Sequence, residues 1–228
     1  MKRFLYFTFV CVAALLIAGC GNKKKAEAEA AAAQAEADSI AAVKATEDSL
    51  KMEKTISELS EEPVLDIITN LGTMTVKLYS GTPKHRDNFV KLALSGFYNG
   101  ILFHRVINGF MIQAGDPLSK DEAQKAVWGT GGPGYTVPAE FVPEYRHKKG
   151  ALAAARRGDA ANPYKESSGS QFYIVQDERT CAQLDGAYTV FGEVIEGLPV
   201  IDKIAGVQTD GRDRPLNPVK IITVKVHE

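Results

Sequence analysis

The chain has 228 residues, of which 45% are hydrophobic and 24% are charged, and its formal net charge is −1. This balance argues against a nucleic-acid-binding protein, which normally carries a basic excess. Three Cys are too few for a disulfide-rich scaffold. All ten Pro lie at or beyond Pro63, and only two Gly precede Gly72, so the sequence has two regions of different composition.

The first residues have the features of an export signal. A positive start precedes an apolar run, residues 4–18, which is shorter than the roughly 20 residues of a membrane-spanning helix. The run ends Leu16-Ile17-Ala18-Gly19-Cys20, which resembles the lipobox of bacterial lipoproteins. That resemblance implies a signal peptide at residues 1–19 and lipid on Cys20, which would anchor the protein to a bacterial membrane in the cell envelope. A plain secretory signal or an uncleaved anchor is the alternative.

The next segment is predicted to be helical. Residues 24–60 are rich in Ala, Glu and Lys and contain no Gly, Pro or aromatic residue. Their apolar side chains are sparse, and Glu47 and Lys54 occupy positions where a coiled coil needs apolar residues. We therefore interpret residues 20–62 as a lipidated N-terminus and a helical spacer. A partner-binding or oligomerising helix is the alternative.

Residues 63–228 alternate β-rich runs with turn residues and are predicted to form one domain. Strands are predicted at 64–69, 74–78, 101–106, 111–113, 172–175, 189–191 and 221–226. One helix is predicted to begin after Thr82, which would be its N-cap residue, and a second helix is predicted at 198–204. This content predicts a mainly β fold, a closed antiparallel barrel with two helices.

Several kinds of site are excluded by the motifs. The four His are scattered without accompanying Cys, and there is no G-x-S-x-G of a serine hydrolase. The Gly-rich stretch 129–134 lacks a following Lys-Ser/Thr and contains Pro133, so it is predicted to be a flexible surface loop, not a phosphate site. We therefore predict no metal and no cofactor.

One segment carries the strongest functional signal: Phe103-His104-Arg105-Val106-Ile107-Asn108-Gly109-Phe110-Met111-Ile112-Gln113-Ala114-Gly115-Asp116. It resembles the signature of the cyclophilin family of peptidyl-prolyl cis-trans isomerases. Three further matching segments follow in the family's order: Tyr135-Thr136-Val137-Pro138-Ala139-Glu140-Phe141, Ser168-Gly169-Ser170-Gln171-Phe172-Tyr173-Ile174, and Leu184-Asp185-Gly186 with Val190-Phe191-Gly192. The resemblance implies an eight-stranded antiparallel barrel capped by two helices.

The residue types suit prolyl isomerisation. Rotation about the peptide bond has a barrier of about 18–20 kcal/mol because twisting destroys the amide resonance. A guanidinium aimed at the proline nitrogen donates only as the lone pair appears, so it binds the transition state better than the ground state. The reaction needs no nucleophile, metal or cofactor.

The resemblance implies a role for each site residue. Arg105 is the catalytic donor, and Gln113 orients it and hydrogen-bonds the substrate backbone. The proline pocket and groove are assigned to Phe110, Met111, Gln171, Tyr173, Leu184 and Tyr188, and the backbone of Ala155 and Arg156 pairs with the peptide. His104 and Glu140 are expected to be structural.

Some positions depart from the best-known members. Gln183 stands where they carry a Trp that contacts cyclosporin, so we expect weak binding of this drug. Tyr188 replaces an active-site His, Arg156 replaces an Asn, and the loop 157–167 is longer. We expect an isomerase that acts on proline-containing extracytoplasmic polypeptides, with its domain in the periplasm. A non-catalytic peptide-binding scaffold, a structural tether and a carrier of lipophilic ligands are the alternatives.

Overall fold

The computed structural model describes the backbone of residues 22–228, and side chains from residue 30 onward except those of residues 45 and 48. The predicted signal peptide and Cys20 lie outside the described residues. Contacts divide the chain into two compact units, with the division between Leu50 and Lys51.

The predicted N-terminal helix is present as α1, Asn22–Glu58. In the part of α1 that belongs to the first unit of the chain, the described side chains are exposed, including the apolar Ile40, Val43 and Leu50. In the second unit Ile56 packs against the core of the β-rich domain, together with Leu59 just beyond the helix. No helix in the described part of the chain is both long enough and apolar enough to span a membrane.

The domain is built on an antiparallel sheet. Its ten strands are β1 (Val64–Thr69), β2 (Gly72–Leu78), β3 (Arg105–Ile107), β4 (Met111–Ala114), β5 (Thr136–Val137), β6 (Ala151–Ala154), β7 (Ser167–Ser168), β8 (Phe172–Val175), β9 (Val190–Glu196) and β10 (Ile221–Val226). Eight of them form one curled sheet in the order β10-β1-β2-β9-β6-β8-β4-β3, and β5 pairs with β7. The fold is therefore mainly β, as predicted.

The prediction of a closed barrel is wrong, because β10 and β3 are the two edges of the sheet. These edges meet only near an isolated bridge between Leu102 and Lys220. Residues 101–104, predicted to begin a strand, do not continue the ladder. Around this bridge the Ile221 N–H donates to the Ile101 carbonyl at 2.8 Å and the Phe103 N–H to the Val219 carbonyl at 2.9 Å. The pairing does not extend into β3, where the Val106 N–H donates to the Asp213 carbonyl, 2.8 Å away. The contact between the two ends of the sheet is therefore too short to form a continuous ladder between β3 and β10.

The predicted helices are α2 (Pro83–Leu94) and α4 (Leu198–Ala205), and a short α3 (Glu178–Cys181) was not predicted. The Thr82 side chain does not cap α2, because its hydroxyl donates to the Tyr79 carbonyl. Glu140 caps the helix instead: its carboxylate accepts the N–H groups of Lys84 and His85, at 3.1 and 3.0 Å. The expected structural role of Glu140 is thereby confirmed.

Two apolar clusters lie on opposite faces of the sheet. The main core contains a cluster of aromatic side chains, among them Phe89 and Phe172, which meet edge to face with their ring centroids 5.4 Å apart. The smaller cluster contains the buried Met111 and Tyr173, and the partly exposed Phe110 and Leu184 pack against it. The smaller cluster therefore presents apolar side chains at a surface depression.

Candidate active site

The strand register aligns three predicted site residues and one further residue in a row across neighbouring strands. Arg105 lies opposite Gln113 in β3 and β4, Gln113 opposite Tyr173 in β4 and β8, and Tyr173 opposite Ala153 in β8 and β6. Directly opposed residues in antiparallel strands project to the same face of the sheet. The cationic, amide and aromatic groups therefore lie side by side.

Arg105, Gln113 and Tyr173 of this row line a cavity of about 310 Å³, which we call the site cavity. Its lining contains Arg105, Phe110, Met111, Gln113, Ala155, Arg156, Tyr173, Leu184 and Tyr188, all of which were predicted. Gln171, the remaining predicted residue, lines a second cavity of about 810 Å³ that shares Gln113 with the first. The predicted residues are therefore brought together.

Arg105 is accessible but positioned. Its side chain is 44% exposed, and its Nη1 donates to Gln113 Oε1 over 3.4 Å. Gln113 Nε2 donates in turn to Gln171 Oε1, at 3.1 Å. Gln171 Nε2 donates to the carbonyls of Gly129 and Gly131, at 3.0 and 2.8 Å. Two side-chain amides thus connect the Gly-rich loop to the guanidinium.

The apolar end of the cavity is held by a buried hydrogen-bond chain. Tyr173 Oη lies 2.8 Å from His147 Nε2, and His147 Nδ1 lies 2.7 Å from Asp185 Oδ1. Burial lowers the pKa of His147, although the hydrogen bond to Asp185 opposes the change. Burial also raises the pKa of Tyr173. Since Asp185 follows Leu184 in sequence, these hydrogen bonds connect Tyr173 with the segment that carries Leu184.

The Arg156 side chain is engaged within the protein. Its guanidinium carbon lies 4.4 Å from the Tyr188 ring centroid, and its Nη1 donates to Asp159 Oδ1 over 2.6 Å. The Ala155 N–H donates to the Gln171 carbonyl, and the Ala155 carbonyl accepts from Ser168. Among the described residues, no partner binds the backbone groups of Arg156. Of the two residues predicted to bind the peptide through their backbone, Arg156 is therefore the one whose N–H and carbonyl groups are available.

His104 was expected to be structural, and it lines the site cavity. It is buried, and neither ring nitrogen makes a hydrogen bond of good geometry with the residues that the structure describes. Burial lowers its pKa from 6.5 to about 4, against the opposing effects of Asp116 and the Leu102 backbone. The imidazole is therefore neutral near pH 7, which does not suit it to proton donation.

Sequence reasoning missed four further residues of the cavity: Trp128, Gly129, Arg212 and Arg214. They come from two loops that have no hydrophobic periodicity to indicate their position. The Gly-rich stretch 129–134, predicted to be only a surface loop, lines both cavities through its members. The Gly129 N–H donates to the Asp116 carboxylate, which fixes this loop beside the site.

The chain matches a protein family over residues 64–226, described as "Cyclophilin type peptidyl-prolyl cis-trans isomerase/CLD". Peptidyl-prolyl cis-trans isomerase CYP18-2 of Arabidopsis thaliana is 34% identical over 166 residues, which make up 72% of this chain and 93% of that protein. The chain belongs to the cyclophilin family. The predicted enzyme class, peptidyl-prolyl cis-trans isomerase, is thereby confirmed.

Other relatives of this cyclophilin agree. Peptidyl-prolyl cis-trans isomerase-like 2 of Rhizopus delemar is 38% identical over 162 residues, which are 70% of this chain but 28% of that longer protein. A crystal structure of a cyclophilin-type isomerase of Cryptosporidium parvum has a TM-score of 0.65 and 31% identity, and the match covers 73% of this chain and 98% of that one. A second structure of that isomerase was determined in the presence of the dipeptide Ala-Pro.

The low pKa of His104 predicts a pH-dependent loss of stability. Between pH 6.5 and about 4 the unfolded chain binds a proton at this position and the folded cyclophilin does not. The free energy of unfolding therefore falls as the pH drops through this interval, by about 3 kcal/mol from this group. Urea unfolding of the full chain at several pH values should show a flatter pH dependence for His104→Gln.

Gln183→Ala provides the control, because it changes an exposed side chain that does not titrate and should leave the steepness of the wild-type pH dependence unchanged. Burial also lowers the pKa of His85 and of His147, but both remain in either variant. Parallel curves for the wild type and His104→Gln would mean that His104 does not remain neutral in the folded state.

Proposed function

We propose that this cyclophilin isomerises X-Pro bonds in extracytoplasmic polypeptides and assists their folding, with Arg105 as the catalytic donor. The observation that carries this proposal is the juxtaposition of an accessible guanidinium and an apolar pocket in one cavity. Both parts are needed, because the enzyme must hold the proline ring while the bond beside it rotates.

In this mechanism the proline ring occupies the apolar end of the cavity, against Phe110, Met111 and Leu184. The peptide bond then twists, and the nitrogen lone pair is released from amide resonance. Arg105 donates a hydrogen bond to that lone pair, which is absent in either planar isomer. The interaction is therefore stronger in the transition state than in the ground states, which is the requirement for catalysis. No covalent bond forms or breaks.

Gln113 has two tasks in this proposal. It accepts from Arg105 and thereby limits the directions of the guanidinium. It also lies at the junction of the two cavities, where its amide can bind the substrate backbone beside the backbone of Arg156. Gln171 accepts a hydrogen bond from Gln113 and thereby helps to hold its side chain in place. The Ala-Pro dipeptide used with the Cryptosporidium relative supports a proline-containing peptide as the substrate here.

We further propose that Cys20 carries lipid and anchors the protein to a bacterial membrane, with the domain in the periplasm. The basis is the sequence Leu16-Ile17-Ala18-Gly19-Cys20. Each buried CH₂ of a lipid chain contributes about 0.8 kcal/mol of membrane affinity, so two or three chains suffice for stable anchoring. The exposed helix within residues 20–62 suits a spacer between lipid and enzyme.

The role of Arg105 is tested by substitution. Arg105→Ala should lower kcat/KM by about 100- to 1000-fold in an assay of cis-Pro peptide isomerisation, as expected for loss of a preorganised donor. Arg105→Lys should restore little activity, because an ammonium group lacks the planar fork that Gln113 orients. Because Arg105 lies at the sheet edge and is accessible, both variants should keep the fold.

Arg179→Ala is the matched control, because this exposed residue lines neither cavity and should be dispensable. Thermal unfolding should confirm that all three variants are folded. A folded Arg105→Ala variant with wild-type kcat/KM would show that the catalytic donor has been assigned wrongly.

The anchor is tested at Cys20. Cys20→Ala should leave the protein without lipid and shift it out of the membrane fraction, whereas Cys181→Ala should remain there, since Cys181 is buried in the domain. Mass spectrometry of the N-terminal peptide and detergent partitioning provide the readouts. Equal membrane association of the Cys20 variant and the wild type would rule out this anchor.

Cyclosporin should bind at least about tenfold more weakly here than to family members with the contacting Trp, a difference of about 1.4 kcal/mol. The reason is that Gln183 is exposed and its amide donates to the Thr180 carbonyl, so it offers neither an indole N–H nor an apolar face. Calorimetric titration should show this, and Gln183→Trp should increase the affinity. Nanomolar binding by the wild type would contradict the expectation.

A further inference from the structure

The site cavity has an unbalanced charge. Four arginines line it, namely Arg105, Arg156, Arg212 and Arg214, and no Asp or Glu is among the described residues of its lining. His104, also in the lining, is neutral near pH 7 because burial lowers its pKa to about 4. Since the whole chain has a net charge of −1, the positive charge is local to this cavity.

Two of these arginines have counter-ions just outside the cavity. Arg156 Nη1 is 2.6 Å from Asp159 Oδ1. Arg105 Nε is 3.9 Å from Asp213 Oδ2, a longer and weaker pair between side chains that are both partly exposed. These acids offset part of the charge but leave Arg212 and Arg214, which the proposed mechanism does not use.

Arg212 and Arg214 belong to a tightly bonded turn. The Asp210 carboxylate accepts their backbone N–H groups, at 2.8 and 3.1 Å, and the Arg214 carbonyl accepts the Asp210 N–H at 2.8 Å. The hydrogen bonds to these two N–H groups are the main cause of the lowered pKa of Asp210. This carboxylate is therefore directed to the backbone. Within the described chain, neither guanidinium makes a hydrogen bond or ion pair.

Trp128 positions Arg214. The guanidinium carbon of Arg214 lies 5.7 Å from the Trp128 ring centroid, a cation–π distance, and Arg214 is largely buried. The indole N–H donates to the Asp121 carbonyl at 3.1 Å, which fixes the ring. Arg212 is exposed beside this fixed pair. The result is one held and one accessible guanidinium at the edge of the cavity.

We propose that Arg212 and Arg214 form a specificity subsite that binds the carboxylate of an Asp or Glu close to the isomerised proline. The inference rests on the proposed function, because that function places the proline in the cavity these residues border. Guanidinium groups bind carboxylates through short, charge-assisted hydrogen bonds. The exposed Arg212 can offer its donors directly, and the largely buried Arg214 lines the same cavity. The preferred substrates are therefore X-Pro segments with an acidic neighbour.

The test uses peptides with a single acidic change. Each peptide has seven residues, with Pro at the centre and Ala elsewhere. One flanking position at a time is then replaced by Glu, Gln or Lys. Trp128 is the only Trp in the chain and lines the cavity, so its fluorescence reports binding by the full-length protein. At one flank, Glu should bind at least about tenfold more tightly than Gln, and Lys more weakly, as one charge-assisted contact allows.

Salt and substitution then identify the cause. The ratio of Glu to Gln affinity should fall as the NaCl concentration rises, because salt screens exposed charges. Arg212→Gln should bring the ratio close to one, and Arg212→Glu should favour the Lys peptide. Arg179→Glu makes the same change of charge outside both cavities and should leave the ratio as in the wild type.

Two outcomes would overturn the subsite: equal binding of the Glu and Gln peptides at low salt, or an unchanged ratio in Arg212→Glu. NMR exchange on the same peptides separates this inference from the proposed function. Isomerisation without a preference for Glu refutes the subsite alone. A preference for Glu without isomerisation refutes the proposed function while the subsite stands.

Discussion

The alternation of side chains along β4, β6 and β8 is the constraint on which the site depends. In β8, Phe172 and Ile174 belong to the main core, whereas Tyr173 belongs to the smaller cluster at the site. In β4, Ile112 lies in the main core and Gln113 lines the cavity. A slip of one residue in either strand would exchange the two faces, burying polar site groups and exposing core side chains. The core therefore fixes the register that aligns the site.

The sequence predicted best where these strands have β-branched or aromatic residues. The bounds predicted for β1, β8 and β10 are those observed. Strand β6 was missed, because Ala151–Ala154 is Ala-Leu-Ala-Ala, a composition that favours a helix and is depleted in strands. Its small side chains are buried between β8 and β9. Only the tertiary structure makes this segment a strand.

The unpredicted parts of the site are those that loops contribute. The family motif contains Arg105, Gln113 and Gln171, but the carbonyls that fix Gln171 belong to Gly129 and Gly131. Arg214 is remote in sequence from Trp128, although its guanidinium carbon lies 5.7 Å from the Trp128 ring centroid. A closed barrel was predicted wrongly for the same reason, since strand counting does not reveal that the Val106 N–H of β3 donates to the Asp213 carbonyl in a loop. Backbone and side-chain bonds to loops carry no periodic signal.

The surroundings of Arg105 explain how it can be both oriented and reactive. A guanidinium has five N–H donors. Gln113 accepts from Arg105 at 3.4 Å, and Asp213, at 3.9 Å from Nε, lies beyond hydrogen-bond distance. A closely bound carboxylate would have saturated one edge of the guanidinium and reduced the gain from a new acceptor. The neutral amide of Gln113 restricts its direction while leaving donors available. In the proposed mechanism, the strongest interaction of Arg105 is thereby reserved for the lone pair that forms as the substrate bond twists.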